Sequence, residues 1–147
     1  MGATNFRNTL IGKDLQQAFA DAQRDAAYWH GHGGYTGTIT EKYGYINLGP
    51  LPSRMSTDRL EDLIFKHIDW QWANEEYNQN GGRKPGQNPV PQAWRAFVAK
   101  AAPIYDDKWG PALVVEINGS GATAIKKQAG RAGTRDKVWV AMGWASE

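Results

Sequence analysis

Gly31, Gly33, Gly34 and Gly37 fall within seven residues, and this spacing constrains the fold more than any other feature of the chain. Each glycine in a helix interior costs about 1 kcal/mol relative to alanine, so a helix reaching this segment must end there. Upstream, Leu15, Phe19, Ala22, Ala26 and Trp29 recur at steps of four, three, four and three, which predicts one buried helix face. Gln16, Asp21, Gln23, Arg24 and Asp25 fill the opposite, solvated face. Asp14 is placed as the cap, with Gln17 at capping-box spacing, and Gly12 ends a short strand over residues 6–11.

Past the glycines, residues 35–48 read as β. The pattern predicts a hairpin turning near Glu41-Lys42-Tyr43-Gly44, with Ile39 and Ile46 directed inward, and Gly49-Pro50-Leu51-Pro52 stops it. Ser56 or Thr57 caps a second helix to about Tyr77, with Leu60, Leu63, Ile64, His67, Ile68 and Gln71 on its buried face. Residues 78–92 form a polar Gly/Pro loop. A third helix over 91–102 buries Trp94, Phe97, Val98 and Ala101 and ends at Pro103. The apolar run 112–117 predicts a central strand. Asn118-Gly119-Ser120-Gly121 reads as a turn into a strand over 122–127, followed by a basic loop over 126–137 and a last strand over 138–144. The predicted order is β-α-β-β-α-α-β-β-β. It describes one α+β domain over 1–147, a mainly antiparallel sheet with three helices packed against it.

Composition excludes some chemistry. The chain has no cysteine, so disulfides, thiolate metal sites and a cysteine nucleophile are ruled out. Neither a signal-peptide run nor about 18 consecutive apolar residues occurs, so the expected location is cytoplasmic, with no membrane partner. A net charge of +2 does not by itself argue for nucleic acid. Of seven tryptophans, Trp29, Trp94 and Trp139 have spacing that fits burial. Trp70 and Trp72 flank opposite sides of one helix and cannot both enter one seam, so one of them marks a partner-binding or homodimer surface.

Candidate binding residues concentrate in 28–42. Gly33 and Gly34 offer backbone donors to an anion, Thr36 and Thr38 hydroxyls, Lys42 charge, and Trp29 or Tyr35 a face for a base, with His32 beside them. The segment lacks the Gly-Lys-Ser/Thr of a phosphate loop, and it follows a helix rather than preceding one. A helix C-terminus disfavours anions, so a cap followed by a tight connection competes with the ligand reading. Arg131 and Arg135, with Lys126, Lys127 and Lys137, make the 126–137 loop the second candidate anion contact, with solvated loop charge as its alternative. His30 and His32 with His67 and Asp69 supply a conceivable zinc set, although His67 falls mid-way along an apolar helix face. No cofactor is implied. A triad of His32, Asp69 and Thr36 or Ser56 lacks any nucleophile-elbow pattern.

Three patches together carry a resemblance: Gly31-His32-Gly33-Gly34-Tyr35-Thr36-Gly37-Thr38-Ile39, Lys108-Trp109-Gly110-Pro111-Ala112, and Gly143-Trp144-Ala145-Ser146. The chain resembles a family of small, poorly characterised proteins of bacteriophages and mobile elements. The resemblance implies an accessory protein of host takeover or counter-defence, acting in the cytoplasm of an infected bacterium, and carries over no site residues. With the site residues, the leading expectation is a non-enzymatic protein that sequesters a small phosphorylated, nucleotide-derived ligand. A protein–protein inhibitor of a host defence protein and a metal-assisted phosphoesterase are the alternatives, with nucleic acid not favoured.

Overall fold

β1 (Ala3–Gly12) and β4 (Lys137–Ser146) run antiparallel from Ala3 opposite Ser146 to Gly12 opposite Lys137. β3 (Ala112–Ile117) pairs antiparallel with the other side of β4, and β2 (Tyr45–Pro50) pairs parallel with β3, giving the order β1-β4-β3-β2. The computed structural model describes residues 2–31 and 34–147. The fold is α+β with a mixed sheet, in which two of the three pairings are antiparallel. Four α-helices occur among the described residues, one more than expected: α1 (Leu15–His30), α2 (Thr57–Asn80), α3 (Arg95–Asp106) and α4 (Gly119–Gln128). Two compact units result. Met1–Leu51 with Ile104–Glu147 holds the sheet, α1 and α4, and Pro52–Pro103 holds α2 and most of α3.

In the sheet unit, Phe6 and Leu10 of β1, Trp139, Ala141 and Ala145 of β4, and Ala112 and Val114 of β3 share one face. They pack with Ala18 and Phe19 of α1 and with Ile39. Burying a side chain of this size contributes about 1.5–3 kcal/mol. Asp14 caps α1 by accepting from the Gln16 N–H at 3.0 Å, while the Gln17 side chain donates to Asp21, so only half of the expected capping box forms. Trp29 is 71% exposed, a correction to its predicted burial. It lies in the last turn of α1, beyond Ala26, where the core cluster ends.

The predicted hairpin is absent among the described residues. Ile39 is buried, but as part of a 3₁₀ turn (Ile39–Glu41) capped by Thr38. Ile46 is 42% exposed, because β2 is the outer strand of the sheet. The strand expected over 122–127 is helix α4, led in by Asn118 in extended backbone. Its alanines, lysines and glutamine favour a helix once the chain has turned, and the glycines that read as a hairpin turn form the helix start instead.

In the second unit, Ser56 caps α2 as expected, accepting from the Arg59 N–H at 3.0 Å. Leu60, Leu63, Ile64 and His67 are buried, whereas Gln71 is exposed. A 3₁₀ turn (Gln92–Trp94) precedes α3, which continues through Pro103 to Asp106 rather than ending there. Pro103 is exposed, so water can satisfy the carbonyl that its missing N–H leaves open.

Candidate functional site

The segment after α1 is stitched to the far end of β4. The Gly37 N–H donates to the Ser146 carbonyl at 2.7 Å, and the Ser146 hydroxyl donates to the Gly34 carbonyl at 3.1 Å. Gly37 has φ 69°, and a Cβ there would sit 3.2 Å from Cβ of Thr4, so glycine is required. Within the segment, the Thr36 hydroxyl and N–H both donate to the Glu41 carboxylate, and the Thr36 and Thr38 hydroxyls lie 2.8 Å apart. The Thr36 hydroxyl expected to meet a phosphate is therefore turned onto a carboxylate, which repels one, and the Thr38 hydroxyl is turned onto Thr36. Thr36 and Thr38 are thus engaged within the segment itself. His32 and Gly33 lie outside the described residues.

Lys42 is engaged as well. It is 2% exposed, and its ammonium donates to the carbonyl oxygens of Asp107 at 2.9 Å and Lys108 at 3.4 Å. Burial lowers its pKa from the ordinary lysine value, partly offset by Asp107. The Asp107 carboxylate in turn accepts the Trp109 N–H at 3.0 Å, and a Cβ on Gly110 would meet that carboxylate at 2.6 Å. Tyr35 and Trp109 are exposed and meet edge to face, centroids 6.4 Å apart, with the Lys108 ammonium 5.2 Å from the Trp109 ring centroid. The three patches singled out in the sequence thus converge at one place, built as a structural knot with an aromatic surface.

The other basic candidate is built as a cleft. Between the end of β1 and the loop joining α4 to β4 lies an open cavity of about 710 Å³, lined by Lys13, Gly130, Arg131, Thr134, Arg135 and Asp136. The loop is ordered by its own bonds. The Thr134 hydroxyl donates to the Arg131 carbonyl at 2.8 Å, the Asp136 N–H to the Thr134 hydroxyl at 3.4 Å, and the Lys126 ammonium to the Thr134 carbonyl at 3.0 Å. The Asp136 carboxylate, nearly buried, lies 3.0 Å from Nε of the half-exposed Arg131. Spending Nε on Asp136 leaves the two terminal amino groups of the guanidinium for an incoming acceptor. Lys13 was not foreseen. Only the pairing of Gly12 with Lys137 brings it beside this loop, and nothing in its sequence neighbourhood signals that.

These two places are held apart. The 34–37 segment is tied to Ser146 and the basic loop precedes Lys137, at opposite ends of β4. At about 3.3 Å per strand residue they lie about 30 Å apart, so one small ligand cannot touch both within one chain. Gly34, Tyr35, Thr36, Thr38 and Lys42 belong to one end, and Arg131 and Arg135 to the other. Trp29 stands with Tyr28 on α1, rings 5.1 Å apart and perpendicular.

In the second unit, the Trp70 indole N–H donates to the Gly86 carbonyl at 2.9 Å, so Trp70 fastens the loop after α2. Trp72 is 69% exposed. His67 is buried 6.2 Å from the Trp70 ring, and burial lowers its pKa. Among the described residues no three His, Asp or Glu side chains are placed to hold a metal ion. Of the conceivable zinc set, His32 lies outside those residues. No described helix is long and apolar enough to cross a membrane. Comparisons with protein-family models, curated proteins and solved structures find no match to this chain.

Proposed function

We propose that this chain is a phage-type accessory binding protein that sequesters a small phosphorylated, nucleotide-derived ligand, gripping its phosphates in the Lys13/Arg131/Arg135 cleft. The observation that carries this reading is the Arg131–Asp136 pair at 3.0 Å. A nearly buried carboxylate that fixes one edge of a half-exposed arginine pre-orients its remaining donors, and a planar guanidinium matches phosphate oxygens two at a time. Lys13 and Arg135 add two cations across the same cavity. The host-takeover or counter-defence setting rests on the resemblance of the three sequence patches. The test is native mass spectrometry with pyrophosphate, mononucleotides, cyclic dinucleotides and ADP-ribose, comparing the wild type with R131A/R135A. An adduct that the variant loses, and that is released unaltered on denaturation, supports the reading. No adduct across the panel, or one indifferent to the substitutions, overturns it.

Exposed Trp72 supports a second reading, an inhibitor that docks on a host protein through α2. That reading expects W72A to abolish partner capture and R131A/R135A to leave it intact.

A further inference from the structure

The two edges of the sheet are built differently. β2 is short, shifts register between Asn47 and Pro50, and ends on proline. β1 pairs with β4 over ten residues without a shift and contains no proline. Bulges, prolines and short strands are how proteins blunt a free edge, because a long regular edge templates pairing with another chain. β2 carries these devices and β1 does not.

The Glu147 N–H donates to the Gly2 carbonyl, which sets the phase of the β1–β4 ladder. Even-numbered residues of β1 exchange bonds with β4, so Asn5, Arg7, Thr9 and Ile11 turn their backbone groups outward. Among the described residues, no backbone hydrogen bond reaches Asn5, Thr9 or Ile11 from that side.

We propose that β1 pairs antiparallel with β1 of a second copy of this chain, about a twofold axis at Asn8, joining the two sheets edge to edge. This register sets Asn8 against Asn8 of the second copy, where each amide can both donate and accept, and sets Phe6 beside Leu10 of the second copy. An axis at Arg7 would instead place two guanidinium groups directly opposite each other.

The same axis sets α1 beside its copy. A cavity of about 230 Å³ between β1 and α1 is lined by Phe6, Asn8, Asp25, Trp29 and His30, so α1 is level with the axis at Asp25. On its outer side Asp21, Arg24, Asp25 and Tyr28 line a groove of about 350 Å³. An antiparallel copy of α1 at this level sets Asp25 opposite Asp25 of the second copy, and Arg24, 2.9 Å from Asp21 of its own helix, is the cation of this groove that offsets the two carboxylates. The pairing also covers Tyr28 and Trp29, which are exposed in the single chain.

The absence of cysteine makes a single introduced thiol an unambiguous reporter. Opposed residues at a non-hydrogen-bonded pair have Cα atoms about 4.5 Å apart, within disulfide reach, so N8C should cross-link to a dimer under mild oxidation. N5C should not, because the two copies of residue 5 would be about 20 Å apart along the strands. Sedimentation velocity should show a wild-type dimer, R24E should raise its dissociation constant about tenfold, and R24E/D25R should restore it. Circular dichroism of each variant checks folding, and the charge pair decides the matter if N8C does not fold. A monomer at every concentration overturns the proposal. So does cross-linking in which N8C and N5C behave alike, or a chain that stays monomeric while its β1 edge takes up an extended peptide.

Discussion

The Lys42 ammonium donates to the carbonyl oxygen of Asp107 at 2.9 Å, tying the segment after α1 to the turn before β3. A charge that sequence reading offers to a ligand is consumed in holding two loops together. K42M removes this donor from the carbonyls of Asp107, which keeps the Gly110 N–H at 3.1 Å, and of Lys108, and losing a hydrogen bond to a charged group costs about 1.5–3 kcal/mol. Urea denaturation should show a loss of that size, and nucleotide binding should be unchanged.

Asp136→Asn separates orientation from bulk charge in the basic cleft. The substitution makes the cleft more positive, so a purely electrostatic site would bind phosphate more tightly. A site that depends on Arg131 being held should weaken instead, by about 1–2 kcal/mol, or roughly tenfold, the worth of a charge-assisted hydrogen bond. Titration calorimetry with pyrophosphate at two salt concentrations distinguishes the two.

T36V/T38V tests whether the glycine-rich segment contacts ligand. The Thr36 hydroxyl bonds Glu41 and the Thr38 hydroxyl bonds Thr36, so the double variant should keep full nucleotide capture and lose about 1–2 kcal/mol of stability. Capture lost in a folded T36V/T38V would return the site to this segment.

Gly143 has φ 151°, and a Cβ there would lie 3.4 Å from the Tyr105 carbonyl oxygen and 3.6 Å from the Phe6 ring. G143A should therefore lower stability by about 1–3 kcal/mol, read as a lower urea midpoint.

His67 gives stability a pH dependence of known sign. Burial holds its folded pKa below the ordinary value of 6.5, so the unfolded chain takes up the proton first. Its contribution is complete above pH 6.5 and declines as pH falls toward the folded pKa, by at most about 1.4 kcal/mol per pH unit. Replacing His67 with Gln should flatten that part of the urea-midpoint profile. An unchanged profile would mean that His67 titrates alike in both states.

Local chemistry made much of the framework legible. Asp14 and Ser56 cap the helices that their positions announce, and the apolar runs 112–117 and 138–144 lie in the inner strands β3 and β4. Reading failed where one short pattern serves two structures. Residues 122–127 suit a strand or a helix, and Ile39 is buried by a 3₁₀ turn as fully as by a strand. Of the candidate site, Arg131 and Arg135 were legible as clustered charge, whereas Lys13 and the orienting role of Asp136 were not, because the chain brings them together only through strand register and loop closure.

The sequence by itself determined where α1 and α2 begin, which runs are apolar enough to form the core, and that thiol chemistry is absent, since period, capping and composition act over a few residues. Tertiary structure alone decided which loops meet. Strand pairing put the glycine-rich segment at one end of β4 and the basic loop at the other, and turned Lys42 inward. The contact between residues 42 and 107, and the cavity that residues 13 and 131 share, depend on pairing across the whole chain, which no local pattern encodes.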